Sequence, residues 1–219
     1  MPFNKRQGAY LLASAYSSFP ARSCHLAIFD VFSERIPRLV LCDHNGHYFL
    51  SADNGVIPRA IGNGQGRSWL CFEMEKQHTF TDWLHAAGKA IEQLQTRTPE
   101  ELQLPPYMPK QADPPPVSAD GNSIDVTVLH IDRYENVVLD ITRRQFDTLR
   151  GDRRFRMLFM QTEELTELSV NYNDVREGNK LCRFNSNDHL EICINRGKAA
   201  SIWGFRMNGQ HNDIKIFFE

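Results

Sequence analysis

The chain has 219 residues, 41% hydrophobic and 24% charged, which excludes a collagen-like, low-complexity or wholly disordered protein. Twenty-five Lys and Arg against 27 Asp and Glu leave a net charge of −2, so there is no global basic field for gripping nucleic acid. No apolar run approaches the ~18–20 residues of a membrane-spanning helix, and MPFNKRQGAY lacks the apolar core and cleavage site of a signal peptide; a cytoplasmic protein without a membrane partner is expected.

In chain order, Asn4 followed by Gln7 is a capping pattern, and Leu11, Leu12, Ala15, Tyr16 and Phe19 share one helical face. Phe19-Pro20 stops that helix. His25 to Val31 is short and apolar enough for a buried strand. Pro37–Cys42 and His47–Leu50 flank Asn45-Gly46, the strongest short hairpin signal, and Trp69 to Met74 gives a further strand. From Trp83, the positions Ala87, Ala90, Ile91 and Leu94 define a second amphipathic helix. Thr98-Pro99-Glu100-Glu101 predicts a short helix after it.

Seven of the eleven prolines then fall between Pro99 and Pro116, a stretch that holds neither a helix nor a central strand. Residues 105–118 therefore read as a linker between an α/β domain over 1–104 and a second domain over 119–219. In the second half, Val126–Asp132, Asn136–Ile141, Arg154–Met160, Leu190–Asn195 and Asp213–Phe218 are β-branched or aromatic runs separated by turn residues. Their spacing suggests a small all-β barrel or sandwich, and the barrel is the expectation taken forward. Six arginines (Arg143, Arg144, Arg150, Arg153, Arg154, Arg156) crowd fourteen residues of this half. They could serve a nucleic-acid-binding barrel, but Asp147 and Asp152 interleave, and a solvated hairpin or an interface is expected instead.

The five cysteines are odd in number and form no C-x-x-C pair, and several sit in apolar runs such as Trp69–Phe72. They read as buried thiols in a reducing compartment, not as a disulfide framework. The eight histidines show no i, i+4 ligand spacing, so no metal is expected.

Four ordered blocks carry a family likeness: FNKRQGAYLLASAYSSFP, GHYFLSADNGVI (46–57), HIDRYENVVLDI (130–141) and FNSNDHLEICINRGKAASIWG (184–204). Together they resemble the S-adenosylmethionine (SAM) hydroxide adenosyltransferases, relatives of fluorinase and chlorinase. The third block is similar to that family's H-I-D-R-F-G-N, and the fourth to its N-S-x-G-x-L-E-I-A-x-N-x-G-x-A. The resemblance implies an α/β domain joined to a small barrel, a homotrimer, and ligand held between subunits. It also implies a reaction in which water displaces methionine from the 5′ carbon of SAM, with SAM as substrate and no further cofactor.

Residue by residue, the resemblance implies that Asp132, Tyr134 and Asn136 meet the methionine end, while Ser186, Asn195 and Arg196 meet the substrate carboxylate and the adenine. Asp53 and Asn54 belong to the family's D-N-G. Asp30, Arg35 and His78 align with an acid, an arginine and a histidine that could order water. Each has a plainer reading. Asp132 and Asn136 also build turns, as Asp53-Asn54-Gly55 does. Asp30 and Arg35 could be a structural ion pair, His78 a surface loop residue, and Ser186, Asn195 and Arg196 hairpin residues. The alignment places Met1 after a family segment that contains a ribose-gripping aspartate, so impaired turnover is expected. The rival expectations are a SAM- or adenosine-binding protein without turnover and a purely structural trimer.

Overall fold

A computed structural model describes residues 4–112, 121–207 and 213–219, in which the chain divides into two compact units, Met1–Asp113 and Pro114–Glu219. In the first unit, Asn4 accepts a hydrogen bond from the Gln7 amide at 3.0 Å and starts α1 (Lys5–Ala15). Four strands follow, β1 (Cys24–Ala27), β2 (Arg38–His44), β3 (His47–Ala52) and β4 (Arg67–Glu73), in sheet order β1-β3-β2-β4. Only the β1–β3 pair is parallel. Asn45 and Gly46 both take positive φ (51° and 76°), which the two-residue turn between β2 and β3 requires.

Side chains alternate across this sheet and separate two apolar layers. Leu39, Leu41, Leu50, Ala52 and Trp69 pack against Trp83, Ala87, Ala90 and Leu94 of α3 (Phe80–Leu94). On the opposite face, Ala27, Cys42 and Phe49 meet α1 and α2 (Val56–Ile61) through Ala9, Leu12, Val56 and Ile57. The first unit is thus a mixed α/β layer structure.

Two expectations change here. The strand expected over His25–Val31 ends at Ala27 because the Asn54 amide draws in the carbonyls of Phe29 and Asp30 (2.5 and 3.5 Å), and Asp30 turns at φ +43°. The helix expected from Thr98 is a single turn, closed by reciprocal bonds between Thr98 and Glu101 and ended by Gln103 at φ +53°. The proline-rich segment runs along the first unit. The Pro105 carbonyl accepts from the Leu70 amide, and the Tyr107 amide donates to the Ser68 carbonyl, covering the outer edge of β4. Residues 113–118 lie outside the described residues.

The second unit contains β5 (Ser123–Val126), β6 (Val128–Ile131), β7 (Val137–Thr142), α4 (Arg143–Arg150), β8 (Phe155–Phe159), β9 (Glu163–Leu165), β10 (Lys180–Phe184), β11 (His189–Ile194), α5 (Ala199–Trp203) and β12 (Ile214–Phe218). Instead of the closed barrel expected, the described residues form two four-stranded antiparallel sheets, ordered β10-β11-β7-β6 and β5-β12-β8-β9. The reason lies at Thr127. The run Val126–Asp132 is interrupted there, so β5 pairs with β12 while β6 pairs with β7. Both sheets contribute to one core, with Leu139, Ile192, Met157, Ile216 and Phe146 all buried in it.

The arginine cluster is mostly a helix, not a hairpin. Thr142 and Gln145 form the capping box of α4. Arg153 donates to the carbonyls of Leu149 and Arg150, closing that helix's C-terminal end. Arg143, Arg150, Arg153 and Arg156 lie over the rings of Phe184, Phe155, Phe218 and Phe217 at 4.3–5.7 Å.

Candidate functional site

The turn from β6 to β7 is organised by one carboxylate. Asp132 Oδ1 accepts from the backbone amides of Tyr134 (2.8 Å) and Asn136 (2.9 Å), and Oδ2 accepts from Asn136 Nδ2 (2.9 Å). An acceptor held this way fixes the turn backbone, which is how an aspartate stabilises such a loop. Asn136 is 4% exposed, and its second amide hydrogen goes to the Tyr172 hydroxyl at 3.2 Å. With both hydrogens given inward, the Asn136 side-chain carbonyl accepts no bond among the described residues. Tyr134, by contrast, is 79% exposed.

This turn forms one wall of a cleft of about 540 Å³, lined by Arg133, Tyr134, Asn136 and Tyr172 on one side and Ile194 to Lys198 on the other. Of its lining residues, Tyr172 connects to a polar network on β10 and β11. The Tyr172 hydroxyl donates to Glu191 Oε1 (3.0 Å), and Arg183 Nη1 donates to the same oxygen (2.9 Å) while its guanidinium lies 4.8 Å from the Tyr172 ring centre. Burial, with the charge of Glu191 alongside, pushes the Tyr172 hydroxyl well above the ordinary tyrosine range, so it stays a neutral donor. Burial also lowers His130 at the start of the turn, against the pull of Asp132.

Asn195 and Arg196 do reach this cleft. The Asn195 side chain is committed to the Val175 carbonyl (2.8 Å), whereas Arg196, at φ +54°, is exposed and pairs with Glu177 at 3.2 Å. Ser186 does not. It is exposed in the turn before β11, at the other end of that strand from Asn195. Six residues of strand separate the two ends, roughly 20 Å.

In the first unit, Asp53 holds the proline-rich segment, accepting from the Tyr107 hydroxyl and the Lys110 amide, both at 2.7 Å. Asn54, 4% exposed, ties the 28–30 bend to the start of α2 through the Phe29 carbonyl and the Val56 amide. Asp30 pairs with Lys5 at 3.8 Å, not with Arg35. Arg35 is exposed and carries no bond among the described residues. His78 accepts from the Glu75 amide (2.8 Å) within its own loop and borders a separate cleft of about 440 Å³ beside His85 and Lys89. Among the described residues, the expected acid, arginine and histidine thus make no hydrogen bond or ion pair with one another. No group of three or more His, Cys, Asp or Glu side chains among the described residues could hold a metal ion.

Two family models match the chain: the SAM hydroxide adenosyltransferase N-terminal domain over residues 1–96 and the C-terminal domain over 126–211. Together they span most of both units. The chain belongs to the SAM hydroxide adenosyltransferase family. Among solved structures, it is similar to an uncharacterised conserved protein from Thermotoga maritima at TM-score 0.71 and 21% identity, covering 99% of this chain and 85% of that one. It is also similar to a conserved hypothetical protein from Thermus thermophilus at TM-score 0.66 and 21% identity, covering 100% and 83%. These likenesses concern the fold. No curated protein matches in sequence.

For an adenosyltransferase-family chain, the C-terminal unit presents a formed cleft around residues flagged by motif, together with a supporting network that motif reading missed. Glu191 was detectable as the lone carboxylate within the apolar run LEICIN. Tyr172 and Arg183 lie in segments without any strong periodicity, and only the fold brings them to Asn136.

Proposed function

We propose that the protein is a SAM hydrolase, displacing methionine from the 5′ carbon of SAM with water to give adenosine. Support comes first from membership of the SAM hydroxide adenosyltransferase family across both units. The observation that carries it is the buried, doubly donating Asn136, whose carbonyl is left open beside an exposed aromatic, Tyr134, at the mouth of a ligand-sized cleft.

On this reading, the Asn136 carbonyl accepts from the ammonium of the methionine end, Tyr134 offers its ring to the sulfonium, and Arg196 and Lys198 stand near the carboxylate. The water oxygen forms a bond to the 5′ carbon as the carbon–sulfur bond breaks. The bonding pair leaves on sulfur, which becomes a neutral thioether, and the water proton passes to solvent. The leaving group is good, so the protein's contribution is alignment and the exclusion of bulk water. The five free cysteines suit a reducing, cytoplasmic setting. A homotrimer with ligand between subunits belongs to the same reading, and light scattering after size exclusion tests it; a monomer at micromolar concentration removes the shared site.

A second reading, binding of SAM or adenosine without turnover, is favoured by one observation: among the described residues, Asp30, Arg35 and His78 make no hydrogen bond or ion pair with one another. Purified protein incubated with SAM separates the two. Equal release of adenosine and methionine is expected for the hydrolase, and it should disappear in Asn136→Ala. Calorimetric binding of SAM with no adenosine formed selects the second reading.

A further inference from the structure

Glu135 sits between the exposed Tyr134 and the buried Asn136 with φ +64°, the left-handed region that favours glycine. Its amide donates within the turn to the Asp132 carbonyl at 3.0 Å, whereas the bonds of its carbonyl and carboxylate go to the 198–201 segment, which continues the Ile194–Lys198 lining of the cleft. The Glu135 carbonyl accepts from the Ala200 amide at 2.9 Å. Oε2 accepts from the Ser201 amide at 3.0 Å and from the Ser201 hydroxyl, and Oε1 pairs with Lys198 Nζ at 3.0 Å. Its carboxyl is held below the ordinary glutamate range by these bonds, led by the Ser201 hydroxyl and Lys198. The two lips of the cleft, the 133–136 turn and the 197–201 segment, are thus joined by a single side chain and its own carbonyl.

We propose that Glu135 is a positioning residue that fixes the width of this cleft and holds Lys198 at its lip. It touches the ligand only through what it positions, namely Tyr134, Asn136 and Lys198. This deepens the functional reading above and rests on it. The strained backbone is maintained because preorganised lips lose less freedom when a ligand enters.

Two substitutions and two measurements test this. Glu135→Gly relaxes the left-handed backbone and removes the side-chain bonds to Ser201 and Lys198, leaving the carbonyl to hold Ala200 alone. Glu135→Gln keeps an acceptor for Ser201 but loses the charge that holds Lys198. Glu135→Gly is expected to melt within a few degrees of the wild type, yet to bind SAM and adenosine at least about tenfold more weakly, with Glu135→Gln in between. Amide exchange at Ala200 and Ser201 is expected to quicken in Glu135→Gly even without ligand, a change that relief of backbone strain alone does not produce. Wild-type affinity in Glu135→Gly, or unchanged exchange at Ala200 and Ser201, overturns the proposal. A wild type that binds neither SAM nor adenosine overturns the functional reading, and this one with it.

Discussion

Glu191 lies only 3% exposed within β11, where Tyr172 and Arg183 both donate to one of its oxygens. Removing one partner of such a buried pair is expected to cost about 3–5 kcal/mol, since the remaining charge stays desolvated. Arg183→Ala should therefore lower unfolding free energy by about that amount in urea titration, and it should weaken ligand binding by loosening Tyr172 beneath Asn136. Histidines set the acid limit. His25, whose Nε2 lies 3.1 Å from His47 Nδ1, has its pKa lowered by burial and by the His47 charge, and burial also lowers His189. A histidine depressed in the fold stabilises fully above its unfolded value of 6.5 and loses that contribution as pH falls below it. The melting temperature should hold steady near pH 7 and decline below about 6.5. His25→Gln should flatten the decline, and an unchanged profile would contradict the assignment.

At the scale of elements, α4 is anchored chiefly by one fully buried side chain, with Leu149 packed beside the same core. Phe146 is fully buried, with the rings of Phe155, Phe184 and Phe218 packed edge-on at 5.2–5.7 Å. Phe146→Ala is expected to cost about 3–5 kcal/mol, read by denaturant unfolding, and to melt α4 first. The same fact explains why this helix was not legible in the sequence. Phe146 and Leu149 alone among arginines give too short an apolar stripe, so the charge cluster stands out in one dimension and the capping box at Thr142–Gln145 does not. Elements with a strong local rule were legible: the Asn4 cap, the Asn45-Gly46 turn, and the stripe of α3 through Trp83, Ala87, Ala90 and Leu94. The barrel was over-read because a strand that changes sheets at Thr127 looks continuous in one dimension. Of the candidate site, Asp132 and Asn136 were picked out by the family motif, and their turn-building role was legible from residue type alone. Ser186 and Asn195 share a motif, but motif order says nothing of which end of β11 each occupies.

At the scale of the molecule, part of the basic surface of the described residues is taken up by ion pairs and aromatic faces. Arg143, Arg153 and Arg156 are spent on Asp188, helix carbonyls and Glu219, as well as on aromatic faces. Affinity for single-stranded DNA or RNA should be negligible at physiological salt; sub-micromolar binding with a steep salt dependence would contradict this. No helix among the described residues is long and apolar enough to cross a membrane. What joins the two units functionally is the family they share, and the reaction proposed from it makes one demand that no binding role makes: an oxygen from water must end on the 5′ carbon. The most direct measurement is mass spectrometry of the nucleoside product after incubation with SAM in oxygen-labelled water. The hydrolase predicts adenosine carrying one labelled oxygen at its 5′ hydroxyl, formed with an equal amount of methionine and absent in Asn136→Ala. Unlabelled adenosine, or no adenosine above the protein-free control, would contradict it.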